Sequence, residues 1–215
     1  MTANVQVFEE AGQRLVLRDL GTHHELLLGQ VPILSSKALA TERAFGELVG
    51  SLELGPSPHI LIGGLGFGAT LSGALSCAGP DARVTVVEKL STVVNLMRGE
   101  LAHLAPGALD DPRVSLAQED VADVISRERD LAAILLDVDN GPGWASFRSN
   151  ARLYAPDGLR RAHEALRAGG TYAVWSGYAA DGFLPALRRA GFLPQAVPMR
   201  ERGVVSARVY LGKKA

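Results

Sequence analysis

The chain reads as a doubly wound α/β domain with a mostly parallel, seven-stranded sheet and an antiparallel C-terminal end, preceded by a small N-terminal β element. That expectation rests on what happens after Pro58, where short apolar runs alternate with stretches of helical length. The runs in ILIGG (60–64) and AAILLD (132–137) are apolar up to the strand end, as strands covered by helices on both faces must be. The chain then closes on VSARVYLGKK, whose clean alternation marks an antiparallel strand.

Taken in order, VQVF (5–8), RLVLR (14–18) and HELLL (24–28) are short strands parted by glycine-containing turns, which makes residues 1–34 the β element. Ser35 or Ser36 is expected to cap a helix reaching Leu52. The α/β domain, 35–215, continues with strand 59–63, helix 67–77, strand 83–88, helix 90–103, strand 113–117, helix 120–128 and strand 131–137. Helix 156–167, strand 170–176, helix 181–190 and a final pair of strands, 193–199 and 203–212, complete it.

Composition excludes several classes. At 215 residues with 47% hydrophobic side chains, one main domain is expected. With 22 Lys+Arg against 23 Asp+Glu, the net charge is -1 and no basic run forms a phosphate-binding stripe, so nucleic acid is not an expected partner. A lone cysteine, Cys77, within an apolar stretch is expected to be a buried small residue in a reducing cytosol. The first residues lack a signal-peptide pattern, so a cytoplasmic location is expected. From Leu54 to Pro80 there is no charged side chain, a span long enough to cross a bilayer. Seven glycines and three prolines within it make a poor helix, so a strand, a turn and a shorter helix are the better parse, and no membrane partner is expected. His23 and His24 are adjacent on a strand and face opposite sides, and the other histidines show no ligand spacing, so no metal is expected.

In such a sheet a ligand sits beyond the carboxyl ends of the strands. After the first strand come Gly64, Gly66 and Gly68 in GLGFGA, which fits both G-x-G-x-G and the dinucleotide variant G-x-G-x-x-A. Glu88 ends the second strand, 24 positions after Gly64, where an acid can accept hydrogen bonds from ribose hydroxyls or simply begin a helix. Asp120 follows the third, as acceptor for an exocyclic amine or as N-cap of the next helix. Asp137 ends the fourth, and a carboxylate there requires a polar or cationic neighbour to offset its desolvation.

The order GGLGFG, VTVVEKL, DDPRVSLAQED, ILLDVDNGPG and LYAPDGLRRAHEALRAGGTYAVWS resembles the class I S-adenosylmethionine-dependent transferases, and within them the spermidine synthase-like branch of the methyltransferase superfamily. The N-terminal VFEEAGQRLVLRDLG is similar to the β element preceding that domain in the branch. The resemblance implies a Rossmann-like sheet in which Gly64, Gly66 and Gly68 border the methionine or aminopropyl part of the cofactor, Glu88 holds the ribose, and Asp120 the adenine amine. It makes Asp137 the first carboxylate of the aspartate motif that helps deprotonate an attacking amine. Homodimers are common among such relatives, and the resemblance extends that expectation to this chain.

The sequence also departs from the branch. Where aminopropyltransferases carry GGGDGG, with an acid facing the cofactor's amine, Gly66 stands here; the second aspartate of the motif falls on Asn140 and the Tyr-His-Glu of the gate helix on Glu42-Arg43-Ala44. Asp139 and Glu42 are candidate replacements on the substrate side. The main expectation is therefore S-adenosylmethionine-dependent methyl transfer to a small-molecule acceptor, with Asp137 and Asn140 orienting the nucleophile. Aminopropyl transfer from decarboxylated S-adenosylmethionine is the alternative, followed by a non-catalytic binder of adenosyl compounds and, last, a nicotinamide-dependent oxidoreductase. Trp144, Tyr154 and Trp175 form an aromatic wall for the substrate or fill the core, and Arg148, Asn150 and Arg152 lie in a solvated loop at the entrance.

Overall fold

A computed structural model describes residues 4–37, 39–138, 141–142 and 150–215. Asp139, Asn140, Trp144 and Arg148 lie outside the described residues. Strands β1 (Asn4–Glu10), β2 (Gln13–Asp19), β3 (His24–Leu28) and β4 (Val31–Ser35) form an antiparallel sheet in that order. Phe8, Leu15, Leu17 and Leu26 from this sheet join one core cluster with Phe45 and Val49 of the segment that follows.

Residues 31–35 were expected to lead into a helix and instead add a fourth strand. An outer strand of a sheet tolerates Pro32, which has no N–H to donate, and the Ser36 hydroxyl accepts the His24 N–H at 2.8 Å, which ties it to β3. The helix starts later, as α1 (Ala40–Glu47) running into a 3-10 turn at Leu48–Ser51.

The second sheet contains β5 (His59–Gly63), β6 (Arg83–Val87), β7 (Val114–Ala117), β8 (Leu131–Leu136), β9 (Leu166–Ser176), β10 (Phe192–Glu201) and β11 (Val204–Lys214). Helices α2 (Ala69–Cys77), α3 (Ser91–Arg98), α4 (Val121–Arg127), α5 (Ala151–Tyr154), α6 (Pro156–Ala165) and α7 (Phe183–Arg189) connect them. The strand order is β10-β11-β9-β8-β5-β6-β7, with β5 to β9 parallel and β11 antiparallel to both its neighbours. Helix α3 stops at Arg98, five residues earlier than expected, because Gly99 follows. Strand β9 begins four residues early, directly after α6, and reaches its paired register through Gly169 at φ 74°.

Alternation along β5 divides the core. Ile60 and Ile62 point into the cluster under α2, α3 and the N-terminal sheet, whereas Leu61 joins the cluster under α4, α6 and α7. The uncharged stretch is thus a strand, a turn and a helix, and among the described residues no helix is long and apolar enough to cross a membrane. Cys77, expected to be buried, is exposed at the end of α2. The edge strand β10 carries Pro194 and Pro198, which cannot donate to an added strand. Because β6 and β7 lie on one side of β5 and β8 on the other, chain order reverses between β5 and β8, and a crevice opens at their carboxyl ends.

Candidate functional site

That crevice holds a cavity of about 400 Å³ lined by Gly64, Gly66, Glu88, Asp120 and Asp137. The strand ends are joined by backbone bonds, Gly64 N–H to Val87 O and Asp137 N–H to Gly63 O, both 2.8 Å. Gly64 has φ 91°, and a Cβ there would lie 2.2 Å from the Asp137 carbonyl oxygen, so the neighbouring strand alone demands glycine. Gly68 was expected to border the ligand but does not line the cavity. It is the left-handed N-cap of α2, and its missing Cβ would fall 2.5 Å from the Cβ of Ala105, so close packing accounts for it.

Glu88 is 9% exposed. Its carboxylate accepts the Leu65 N–H at 3.0 Å and the Leu90 N–H at 2.8 Å, binding the glycine turn to the start of α3. Burial pushes its titration upward and these backbone donors oppose that. The Gly66 and Lys89 N–H groups add to these donors, so the Glu88 carboxylate is fixed at the cavity wall by the backbone of the glycine turn and of the approach to α3.

Asp120 serves two roles. One oxygen accepts the Ala122 N–H at 3.0 Å and caps α4; the other meets Lys89 at 3.1 Å and Arg152 at 2.7 Å. Burial pushes it upward, but the Ala122 N–H and the two cations hold it below the ordinary carboxylate range. Arg152, expected in a solvated loop, is therefore part of the site, and Asn150 lines the cavity.

At the inner end, burial pushes Asp137 up to about 6 against the Thr70 hydroxyl, whose oxygen lies 2.6 Å from Oδ2. Glu42 does not line the cavity, yet it belongs to the same cluster. Its carboxyl accepts the Thr41 hydroxyl at 3.0 Å, and burial, then the charges of Asp137 and Glu201, push it up to about 7. Backbone contact places the two acids together: a Cβ on Gly46 would lie 2.1 Å from Thr70 O, and one on Gly73 2.1 Å from Arg43 O, so only glycines let α1 and α2 approach this closely. Among the described residues no cation is paired with either acid.

The N-terminal sheet supplies a wall that sequence reasoning missed. Glu10 lines the cavity with Ile33 and Leu34, and its carboxylate accepts the Ser91 and Thr92 N–H groups, capping α3 from β1. No local signal marks it, because Leu90 at the N-cap has no side-chain acceptor and the cap arrives from 81 residues away. Of the aromatic candidates, Tyr154 is buried and meets Phe183 edge-to-face in the core. Trp175 packs against the other cluster, its indole N–H buried without a partner among the described residues. Neither lines the cavity.

No protein-family model and no curated protein sequence matches the chain. Among solved structures it is similar to a spermidine synthase in complex with the transition state analogue AdoDATO, with a TM-score of 0.75 at 17% identity over 98% of this chain and 72% of that one. It is similar to the spermidine synthase from Thermotoga maritima, with a TM-score of 0.76 at 18% identity over 98% and 73% of the two chains. A probable spermidine synthase from Corynebacterium glutamicum ATCC 13032 gives a TM-score of 0.67 at 16% identity over 99% and 81%. At these identities the likeness is one of fold: the chain has a spermidine synthase-like fold.

Proposed function

We propose that the chain is a transferase that moves an aminopropyl group from decarboxylated S-adenosylmethionine to an amine of a small-molecule acceptor. The observation that carries this reading is the extent of the likeness. It covers 98% of the chain and so takes in the four-stranded sheet whose Glu10, Ile33 and Leu34 wall the cavity. One of the similar structures holds a transition state analogue of spermidine synthase. This moves the preference from methyl to aminopropyl transfer.

The cavity suits an adenosyl group in size, since ligand sites of about 300–1,000 Å³ are the rule. Glu88 would accept from the ribose hydroxyls, Asp120 from the adenine amine, and Gly64 and Gly66 leave room for the chain at sulfur. When bound, the co-substrate supplies an electrophilic carbon next to a sulfonium. Asp137 takes a proton from the acceptor ammonium and frees its lone pair; the C–N bond forms as the C–S bond breaks, and that electron pair goes to sulfur. Asp139, Asn140 and Trp144, which follow Asp137 in sequence, belong with Glu42 to the acceptor side of this proposal. Methyl transfer remains the second reading, favoured by Gly66, which puts no carboxylate where an aminopropyl amine would need one.

Calorimetry with decarboxylated S-adenosylmethionine, S-adenosylmethionine, 5′-methylthioadenosine and NAD, followed by mass spectrometry of reactions with aliphatic diamines, tests the proposal. Tighter binding of the decarboxylated compound and an aminopropylated diamine are expected. Preference for S-adenosylmethionine with a methylated product supports the second reading, and binding of NAD alone removes both.

A further inference from the structure

Thr70 is buried on α2 and stands between two acids. Its hydroxyl oxygen lies 2.6 Å from Asp137 Oδ2 and 3.1 Å from the main-chain carbonyl oxygen of Glu42. A hydroxyl carries one proton, and a donation to a carboxylate outweighs one to a neutral carbonyl. The Thr70 proton therefore goes to Asp137 whenever that residue is ionised, with the Glu42 carbonyl as the alternative acceptor. Its main chain is immobilised as well, since the Thr70 carbonyl fills the space where Gly46 lacks a side chain. A β-branched residue in a helix has little χ1 freedom, so the hydroxyl is aimed rather than free to wander. Among the described residues no other side chain donates to Asp137, and none donates to its Oδ1. Among the described residues the titratable groups that face this cluster are Asp137 just after β8, Glu42 on α1 and Glu201 on β10, with no cation among them.

We propose that Thr70 is a positioning residue for Asp137: by donating to Oδ2 it sets the carboxylate's orientation and leaves Oδ1 as the oxygen that takes the proton of the attacking amine. The proposal rests on the aminopropyl-transfer reading. In that step the ammonium loses one proton to Oδ1, the nitrogen keeps the electron pair that forms the new C–N bond, and the Thr70 proton stays on its hydroxyl. The local sequence does not mark Thr70, because what matters is its distance from a strand end 67 residues away.

Thr70→Val removes the hydroxyl at nearly constant shape and Thr70→Ser keeps it. The ¹³C titration of Asp137, identified by the signal lost in Asp137→Asn, needs no turnover. The valine variant is expected to titrate about one unit higher, a tenfold change in the dissociation constant, and the acidic limb of its kcat profile moves by the same amount with KM for the nucleoside substrate little changed. The serine variant restores both. An Asp137 titration unaltered by valine, or a serine variant as impaired as valine, overturns the assignment even in an active enzyme. If valine does not fold, Thr70→Ala provides the same comparison. A wild-type protein that makes no aminopropylated amine overturns the underlying reading, whatever Asp137 does.

Discussion

Replacing Glu42 by glutamine is expected to stabilise the protein above neutral pH and to do little for it in acid. The Glu42 carboxyl is part-buried on α1, receives only the Thr41 hydroxyl among the described side chains, and is pushed from 4.5 up to about 7 by burial, then by Asp137 and Glu201. An acid whose native value exceeds its unfolded one binds more protons when folded, so its contribution to stability is whole below about pH 4.5 and is lost as pH rises through 7. A shift of that size corresponds to roughly 3 kcal/mol at about 1.4 kcal/mol per unit, and solvent screening of a carboxyl that is not fully enclosed reduces it to about 1–2 kcal/mol. Glutamine keeps the shape and removes the charge. For a chain of this length that difference is a gain of roughly 2–8 °C in melting temperature at pH 8. The measurement is urea unfolding of both proteins, followed by circular dichroism at several values from pH 4.5 to 8. Asp137 is present in both, so the difference between them isolates Glu42 together with its coupling to Asp137. A gap between variant and wild type that is the same at pH 5 and pH 8 would refute the reasoning, since it would mean Glu42 is ionised throughout.

Glu88→Gln should weaken 5′-methylthioadenosine binding at least tenfold while the protein stays folded, because a carboxylate held by backbone N–H donors is replaced by a group that donates as well as accepts; unchanged affinity by calorimetry would remove Glu88 from the ribose site. Gly68→Ala should cost about 2–4 kcal/mol, combining a left-handed φ of 78° with a Cβ 2.5 Å from that of Ala105. A melting temperature equal to wild type would show that the turn relaxes freely. Glu10→Ala uncaps α3 and should cost about 1 kcal/mol, with faster proteolytic cleavage between the N-terminal sheet and α1; equal cleavage rates would show that the apolar contacts of Phe8 and Leu15 hold the sheet unaided.

Much of the fold was legible because its signals are local. The apolar strands at 59–63 and 131–136, the glycine turn between β5 and α2, and the alternation of the last strand each depend on residues within a few positions of one another. So did the acids at strand ends, since a parallel sheet brings the residue after each strand to one edge. Legibility failed where the cause was distant. β4 is a strand because β3 pairs with it, although Ser35 and Ser36 resemble a helix cap. Cys77 is exposed because α2 ends there, although its neighbours in sequence are apolar. Gly68 is required by the nearness of Ala105, a residue far from it in sequence.

The sequence by itself determined the alternation of strands and helices after Pro58 and the presence of Glu88, Asp120 and Asp137 at successive strand ends, the edge where a ligand of such a sheet sits. Only the tertiary structure decided what those acids touch. Asp120 is held by Lys89 and Arg152, Glu88 ties the glycine turn to α3, and Glu10 reaches from the first strand to cap that same helix. Asp137 and Glu42 share a part-buried corner because Gly46 and Gly73 let two helices meet backbone to backbone. Such contacts join residues tens of positions apart, and their energies depend on burial and on distances of a few ångströms, quantities that a pattern of residue types does not contain.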